Sequence, residues 1–487
     1  MRAAPDGDWT ETFDVVVVGS GAGGHAAAIE AAKAGAKVVL LEKENGLGGD
    51  SAVCDGIVSG WGTRLAKAQG IDVSPDEIYD WFMAHSEWFG AIDPEVARLN
   101  ADKCGETIDW LEELGVPFEE EVGPRMSYTD LPVVHQVVGK GGAMVSAMTA
   151  AAESAGVSIE TKTAVTKLVK DADGRVVGIE AMKGREPVRI KAEKGVVLAT
   201  GGYSGSTDML VALCPANKNL KASGAAGLTG DGLTMASDAG VFTTRTSWQP
   251  LMSPVAGAAT KSPVLIDYSE RLNGLLLDEN GERFCNESGT YDFVLHSDAQ
   301  QPGSIHVTLW DADFATYAEQ FDMHGCSRLF PFDNGAAPNI PIQAVMGMNE
   351  ELAAKGYIQK ADTLEELAGK LGLPADALIA TVERNNENYD NQVDPDFGKE
   401  PFRLSPVRNP PFYGIRNTGM LLCTMDGINI NTQGQALRAD GSVIEGLYVT
   451  GNDSGGYYSM TYPNLSTGNA CGRTVTFGRM IAKNLAK

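Results

Sequence analysis

The run Phe13-Asp14-Val15-Val16-Val17-Val18-Gly19-Ser20-Gly21-Ala22-Gly23-Gly24, followed by Lys37-Val38-Val39-Leu40-Leu41-Glu42, constrains the fold of this chain more than any other segment. Its order is strand, glycine turn, helix, second strand, acid. Gly19 permits a tight turn, Gly21 lets backbone N–H groups approach a pyrophosphate, and Gly24 lets the helix pack on the strand. Phosphates would then meet the positive end of a helix. Glu42 lies about 20 residues on, where a carboxylate can accept from ribose hydroxyls. A glycine pattern alone also occurs in ordinary βαβ units. Here every part of the fingerprint follows in sequence, which points to dinucleotide binding.

Three later segments favour FAD over NAD: Gly48-Gly49-Asp50-Ser51, Gly195-Val196-Val197-Leu198-Ala199-Thr200-Gly201-Gly202, and Gly446-Leu447-Tyr448-Val449-Thr450-Gly451-Asn452. Glycine-rich turns at the start, middle and end of a chain can close around one extended FAD. An NAD site is usually complete within one continuous domain.

At 487 residues the chain is long enough for two or three domains, and 43% hydrophobic with 21% charged residues is a globular composition. A formal charge of −25 argues against nucleic acid or an anionic membrane as partner. No apolar run reaches the roughly 18 residues of a membrane span. The N-terminus, Met1-Arg2-Ala3-Ala4-Pro5-Asp6-Gly7-Asp8, lacks the apolar core of a secretory signal, so a cytoplasmic location is expected unless an export peptide has been removed. Seven cysteines and six histidines are scattered without CxxC or CxxCH pairs. No disulfide framework, iron–sulfur cluster, haem or metal site is expected.

Hydrophobic periodicity predicts helices over 75–89, 94–114, 141–155, 374–389 and 474–485, another helix starting after a cap at Asp362 or Thr363, and strands near 158–162, 164–169, 175–181 and 196–199. The fold class expected is α/β: a Rossmann-like FAD-binding domain with an inserted α+β cap. The expected limits are 1–242 for the first part of the FAD domain and 243–356 for a cap of irregular strands and loops. Residues 357–487 would form a helical segment and, from about Pro411, the return to the FAD domain.

The chain resembles the fumarate reductase and flavocytochrome c flavoproteins together with the 3-ketosteroid dehydrogenases. The likeness is carried by the glycine fingerprint, the segment from Thr107 to Val116, Thr229-Gly230-Asp231-Gly232, Arg283-Phe284-Cys285-Asn286-Glu287 and Thr476-Phe477-Gly478-Arg479. It implies substrate held between flavin and cap, and hydride transfer between flavin N5 and a carbon–carbon bond beside a carbonyl or carboxylate. The cofactor-facing candidates are Gly19, Gly21, Ala22, Gly24, Glu42, Lys43, Gly49, Ser51, Thr200, Gly201, Asp231, Asn452, Gly468 and Asn469.

Departures from the fumarate reductases are informative. Their proton-donating Arg corresponds to Tyr291, a His-Pro pair to Gln249-Pro250, a second His to Cys423, and a late Arg to Leu465. Two carboxylates need several cationic or strongly donating partners, so losing these groups together disfavours fumarate or succinate. Tyr291 and Tyr462, the latter in a Tyr-Pro pair, match tyrosines of the 3-ketosteroid dehydrogenases, although the stretch Asn464-Leu465-Ser466-Thr467 departs from that family's glycine-rich pattern.

The expected chemistry is an ene-reductase: hydride to the β-carbon of an enone, a proton from Tyr291 to the α-carbon, and Tyr462 with backbone N–H groups on the carbonyl. Arg271 is a candidate for a proton relay. The alternatives are a gap-filling Tyr291, a packed Tyr462 before Pro463, and an ion pair of Arg271 with Glu270 or Asp267. Tyr457 and Tyr458 either line the cavity or pack in the core. Desaturation, a fumarate-type reaction on a carboxylate, and a non-catalytic flavin-binding role are competing readings. Electrons would come from a separate redox protein, or from a reduced flavin or nicotinamide.

Overall fold

The computed structural model describes residues 9–86, 92–123, 131–219, 221–222, 224–244, 252–256, 274–287, 291–319, 342–421, 423–458 and 468–485. Its larger sheet has eight strands, and five of them run parallel side by side: Ser158–Glu160, Val38–Leu41, Glu11–Val18, Glu186–Leu198 and Val443–Val449. The first half of Glu186–Leu198 also pairs antiparallel with Val176–Lys183, which pairs with Thr163–Lys170. A hairpin strand, Gln435–Leu437, closes the far edge.

The four valines of the first strand explain its central place. Val15 and Val17 pack into one core cluster and Val16 and Val18 into another, on opposite faces of the sheet. Each such burial contributes about 1.5–3 kcal/mol, so this strand is stable only with both faces covered. The alanine-rich helix Ala22–Lys33 covers one face and packs against the C-terminal helix Asn469–Leu485. Small residues set their close approach: a Cβ on Gly478 would overlap the carbonyl oxygen of Gly23.

A second sheet has six strands, in which Met252–Ala256, Phe412–Leu421, Ile305–Trp310 and Leu275–Leu277 lie in that order. Gln359–Ala361 and Lys221–Ala222 also pair with Phe412–Leu421. Leu275, Leu277, Val307 and Leu309 share a core with Leu367, Leu371, Leu378 and Val382 of the helices Leu364–Leu371 and Ala375–Asn391.

Phe412–Leu421, which follows the point near Pro411 from which the chain was read as returning to the FAD domain, lies at the centre of the second sheet. Its sequence reads as a strand, but a strand's partner is not written in its local pattern. The region read as irregular strands and loops also contains the helices Tyr291–Ala299, Phe314–Glu319 and Ile342–Ala354. Thr363, not Asp362, caps its helix, accepting from Glu366 N at 3.2 Å. The last helix begins five residues before the expected Thr474. No described helix is long and apolar enough to cross a membrane.

Candidate functional site

The glycine turn leaves the C-terminal end of the first strand with Gly19 at φ +103°. A Cβ there would overlap the carbonyl oxygen of Ala199, and one on Gly24 would overlap that of Gly19. These two glycines are required by the protein's own packing. Gly21 is different: its φ of −60° suits any residue, and an added Cβ would meet nothing nearer than Ser51 Oγ at 3.7 Å and Gly48 O at 3.9 Å. Neither backbone strain nor crowding calls for glycine at this position. The open cradle in front of it, at the start of a 12-residue helix, fits the close approach of a phosphate group.

The turn 48–51 is tied to this cradle from the side. Gly48 N donates to Ser20 Oγ at 2.9 Å and Ala22 N to Ser51 Oγ at 3.0 Å. Gly49 takes φ +48°. Glu42 ends the second strand and accepts from Ser20 N (3.1 Å) and Ser20 Oγ (2.5 Å) through Oε2, and from Glu44 N (2.9 Å) through Oε1. Oε1 is therefore the oxygen with more capacity left for a ribose hydroxyl. Lys43 donates to Thr229 Oγ1 at 2.6 Å and Asp231 Oδ2 at 2.7 Å, bringing two candidates together.

The organiser of the central turns is a residue sequence reasoning missed. Asp453, fully buried, accepts from Thr200 N (2.5 Å), Thr200 Oγ1 (2.8 Å) and Gly202 N (2.9 Å) across 251–253 positions of sequence. Thr200 Oγ1 also accepts from Gly232 N at 3.1 Å. Burial pushes the Asp453 carboxyl upward, while these donors pull the other way. The signal lay next to Asn452 in the Gly451-Asn452-Asp453 turn, but nothing local showed that the carboxylate would bind the other glycine strand.

Gly468 takes φ +85° and packs on the backbone of Ile57. Asn469 opens the last helix, and its Oδ1 accepts from Asn100 Nδ2 (3.1 Å) and Tyr457 OH (3.0 Å). Tyr457 stacks on Phe82 with centroids 4.8 Å apart, and Tyr458 meets Tyr457 edge-on at 4.8 Å. The Arg473 guanidinium lies over both rings and donates to Gly451 O at 2.5 Å. Of the two roles open to Tyr457 and Tyr458, both pack in the core.

Before Tyr291, four buried charges interlock. Arg283 donates to Glu287 Oε1 (2.8 Å) and Oε2 (2.7 Å) and to Asp394 Oδ2 (2.9 Å), and Lys399 Nζ lies 3.3 Å from Glu287 Oε2. Burial alone would raise the Glu287 carboxyl, but Lys399 and Arg283 hold it below the usual range. The backbone of Tyr291 begins the helix Tyr291–Ala299; its side chain, Arg271, Tyr462, Gln249-Pro250 and Leu465 lie outside the described residues. Among the described residues no cluster of His, Cys, Asp or Glu could hold a metal ion.

Residues 14–468 match the family model described as an FAD binding domain. The chain is 31% identical to a vinyl phenol reductase of Lactiplantibacillus plantarum, covering 98% of this chain and 97% of that one. It is 28% identical to a probable fumarate reductase of Shewanella frigidimarina over 98% of this chain and 75% of the relative. It also superposes on the crystal structure of a 3-ketosteroid-Δ4-(5α)-dehydrogenase from Rhodococcus jostii in complex with 4-androstene-3,17-dione. That match has a TM-score of 0.77 and 26% identity, covering 100% of this chain and 99% of the other. The glycine cradle, the parallel sheet and a match spanning nearly the whole length agree: the chain belongs to the FAD-binding-domain family and is an FAD-dependent oxidoreductase.

Proposed function

We propose that this flavoprotein reduces a carbon–carbon double bond conjugated to a carbonyl, with Tyr291 as proton donor to the α-carbon and Tyr462 as hydrogen-bond donor to the carbonyl. The observation that carries this reading is the place of Tyr291. Its backbone opens a helix that follows shortly after Glu287 of the buried Arg283–Glu287–Asp394–Lys399 network. FAD, when bound, supplies the two-electron chemistry at the β-carbon. Gly19, Gly21, Ala22 and Gly24, with Gly49 and Ser51, would seat its diphosphate; Glu42 would accept from its ribose.

Thr200, Gly201, Asp231, Asn452, Gly468 and Asn469 would line the rest of the cofactor, and Arg271 would pass the replacement proton to Tyr291. Tyrosine is protonated at neutral pH, which suits an acid better than a base and favours reduction over desaturation. The desaturating direction remains the second reading, favoured by likeness to a 3-ketosteroid dehydrogenase. Electrons would come from a separate redox protein, or from a reduced flavin or nicotinamide. Under this reading the substrate would lie between the flavin and the cap.

The test is anaerobic. Holoprotein bleached with dithionite is mixed with fumarate, monocarboxylic enoates, cyclic and steroidal enones, and a 4-vinylphenol, and flavin absorbance is followed. Reoxidation by enones and not by fumarate is expected, with Tyr291→Phe slowing it about a hundredfold or more, the usual scale for a general acid. Rapid reoxidation by fumarate would refute the carbonyl assignment, and an unaffected Tyr291→Phe variant would remove Tyr291 from the chemistry.

A further inference from the structure

The turn 48–51 carries one ionisable side chain, Asp50, to which no role has been given so far. Among the described residues its carboxylate accepts a single hydrogen bond, from Ala225 N at 2.7 Å, and makes no ion pair. Gly224 packs directly against Asp50 Oδ1.

The cations nearby are engaged elsewhere. Lys43 is held by Asp231 and Thr229, and Lys140 by Asp55 at 3.3 Å. Glu44, packed on Gly227 of the same facing segment, adds no positive charge. Burial pushes the Cys54 thiol up and the Cys423 thiol to about 12, so both are neutral. His25, on the helix behind the cradle, is pushed below its ordinary value by burial, and its ring nitrogens meet Ser20 O and Thr149 Oγ1. Asp453 is saturated by its own donors.

Desolvation already pushes the Asp50 carboxyl up to about 6. The residue keeps a partly open side, and its neighbour Ser51 holds the Ala22 N–H of the cradle assigned above to the diphosphate. A cofactor seated there removes the remaining water and brings two negative charges. Both effects favour the neutral acid.

We infer that FAD binding is coupled to protonation of Asp50, which sits beside the diphosphate as a neutral carboxylic acid. The inference rests on the reading of Gly21 as the diphosphate contact. The linkage has a definite sign. A group whose pKa rises on binding takes up a proton above its free value, so affinity is full below about pH 6 and falls about tenfold per pH unit above it, until the bound-state value is reached.

The experiment dilutes holoprotein to nanomolar concentrations at constant ionic strength between pH 5.5 and 8.5. The fluorescence of released FAD gives the dissociation constant, and circular dichroism checks the fold at each pH. The wild-type Kd should be flat below pH 6 and rise steeply above it. Asp50→Asn should hold FAD with little pH dependence, at pH 8 at least tenfold more tightly than wild type. Asp50→Ser, also neutral, serves if the Asn variant does not fold. A flat wild-type profile, or an unchanged slope in a folded variant, overturns the inference. Gly21→Ala separates the two layers: if it leaves Kd unchanged, the diphosphate reading fails as well; if it weakens FAD while wild type stays flat with pH, only the role of Asp50 falls.

Discussion

Three glycines of one turn look interchangeable in the sequence, yet they answer to different physics. Gly19 and Gly24 are fixed by overlap with the Ala199 and Gly19 carbonyls, whereas Gly21 has an ordinary φ and uncrowded surroundings. Alanine at Gly19 or Gly24 should therefore abolish the yield of folded protein, because backbone atoms cannot move aside as a flexible side chain does. Alanine at Gly21 should preserve folding and lower FAD affinity about tenfold or more, a loss of about 1.4 kcal/mol or more. Flavin-to-protein absorbance ratios and soluble yield of the three variants decide it; a Gly21→Ala protein with full flavin would remove the cradle from the site. Glu42 was legible at the same scale from its distance to the glycines. Asp453 was not, because its partners lie more than 250 positions away.

Among the elements, the segment 283–287 and the loop 394–399 are joined by four buried charges rather than by apolar packing. Removing one partner from such a network leaves a buried charge uncompensated and typically costs about 3–5 kcal/mol. Glu287→Gln should accordingly speed amide exchange in both segments by a hundredfold or more, leaving the large parallel sheet protected and the flavin in place. Exchange that rises equally in the large sheet would mean that the network supports the whole chain. Burial would raise Asp394, but Arg283 holds it, like Glu287, below its usual range, so the stabilisation is present above the ordinary carboxylate range near pH 4 and lost as pH falls through the folded values. The Arg-Phe-Cys-Asn-Glu run was recognised in the sequence, whereas the acid and lysine that complete it were not. Asp394 and Lys399 sit in the turn-rich stretch Val393-Asp394-Pro395-Asp396-Phe397-Gly398-Lys399, which reads locally as solvent-exposed. The helix Tyr291–Ala299 was hidden for a related reason: it is short, and its apolar residues Phe293, Val294 and Leu295 are consecutive rather than spaced for one face.

For the whole molecule, the parallel sheet was legible because each of its central strands ends in a short apolar run, such as Val15–Val18, Val38–Leu41 and Val196–Leu198, that must be covered on both sides. The second sheet was not, because three of the four strands that Phe412–Leu421 joins lie a hundred residues or more before it, and pairing at that distance leaves no local mark. Net charge, by contrast, is read directly from the sequence and has a kinetic consequence. At −25 the chain carries a field that favours cationic electron donors and repels anionic ones at long range. Salt shortens the reach of that field from about 30 Å at 0.01 M to about 10 Å at 0.1 M. Reduction of the bound flavin by a cationic viologen radical should therefore slow several-fold as ionic strength rises over that range. Reduction by the anionic radical derived from dithionite should accelerate over the same range, and the two rates measured by stopped flow should converge. The same field acts on the natural donor: a positively charged redox protein would gain rate from it, and an acidic one would need a local basic patch to offset it. Parallel salt dependences for the two radicals would mean that the entrance to the flavin has its own local charge, independent of the molecule's net balance.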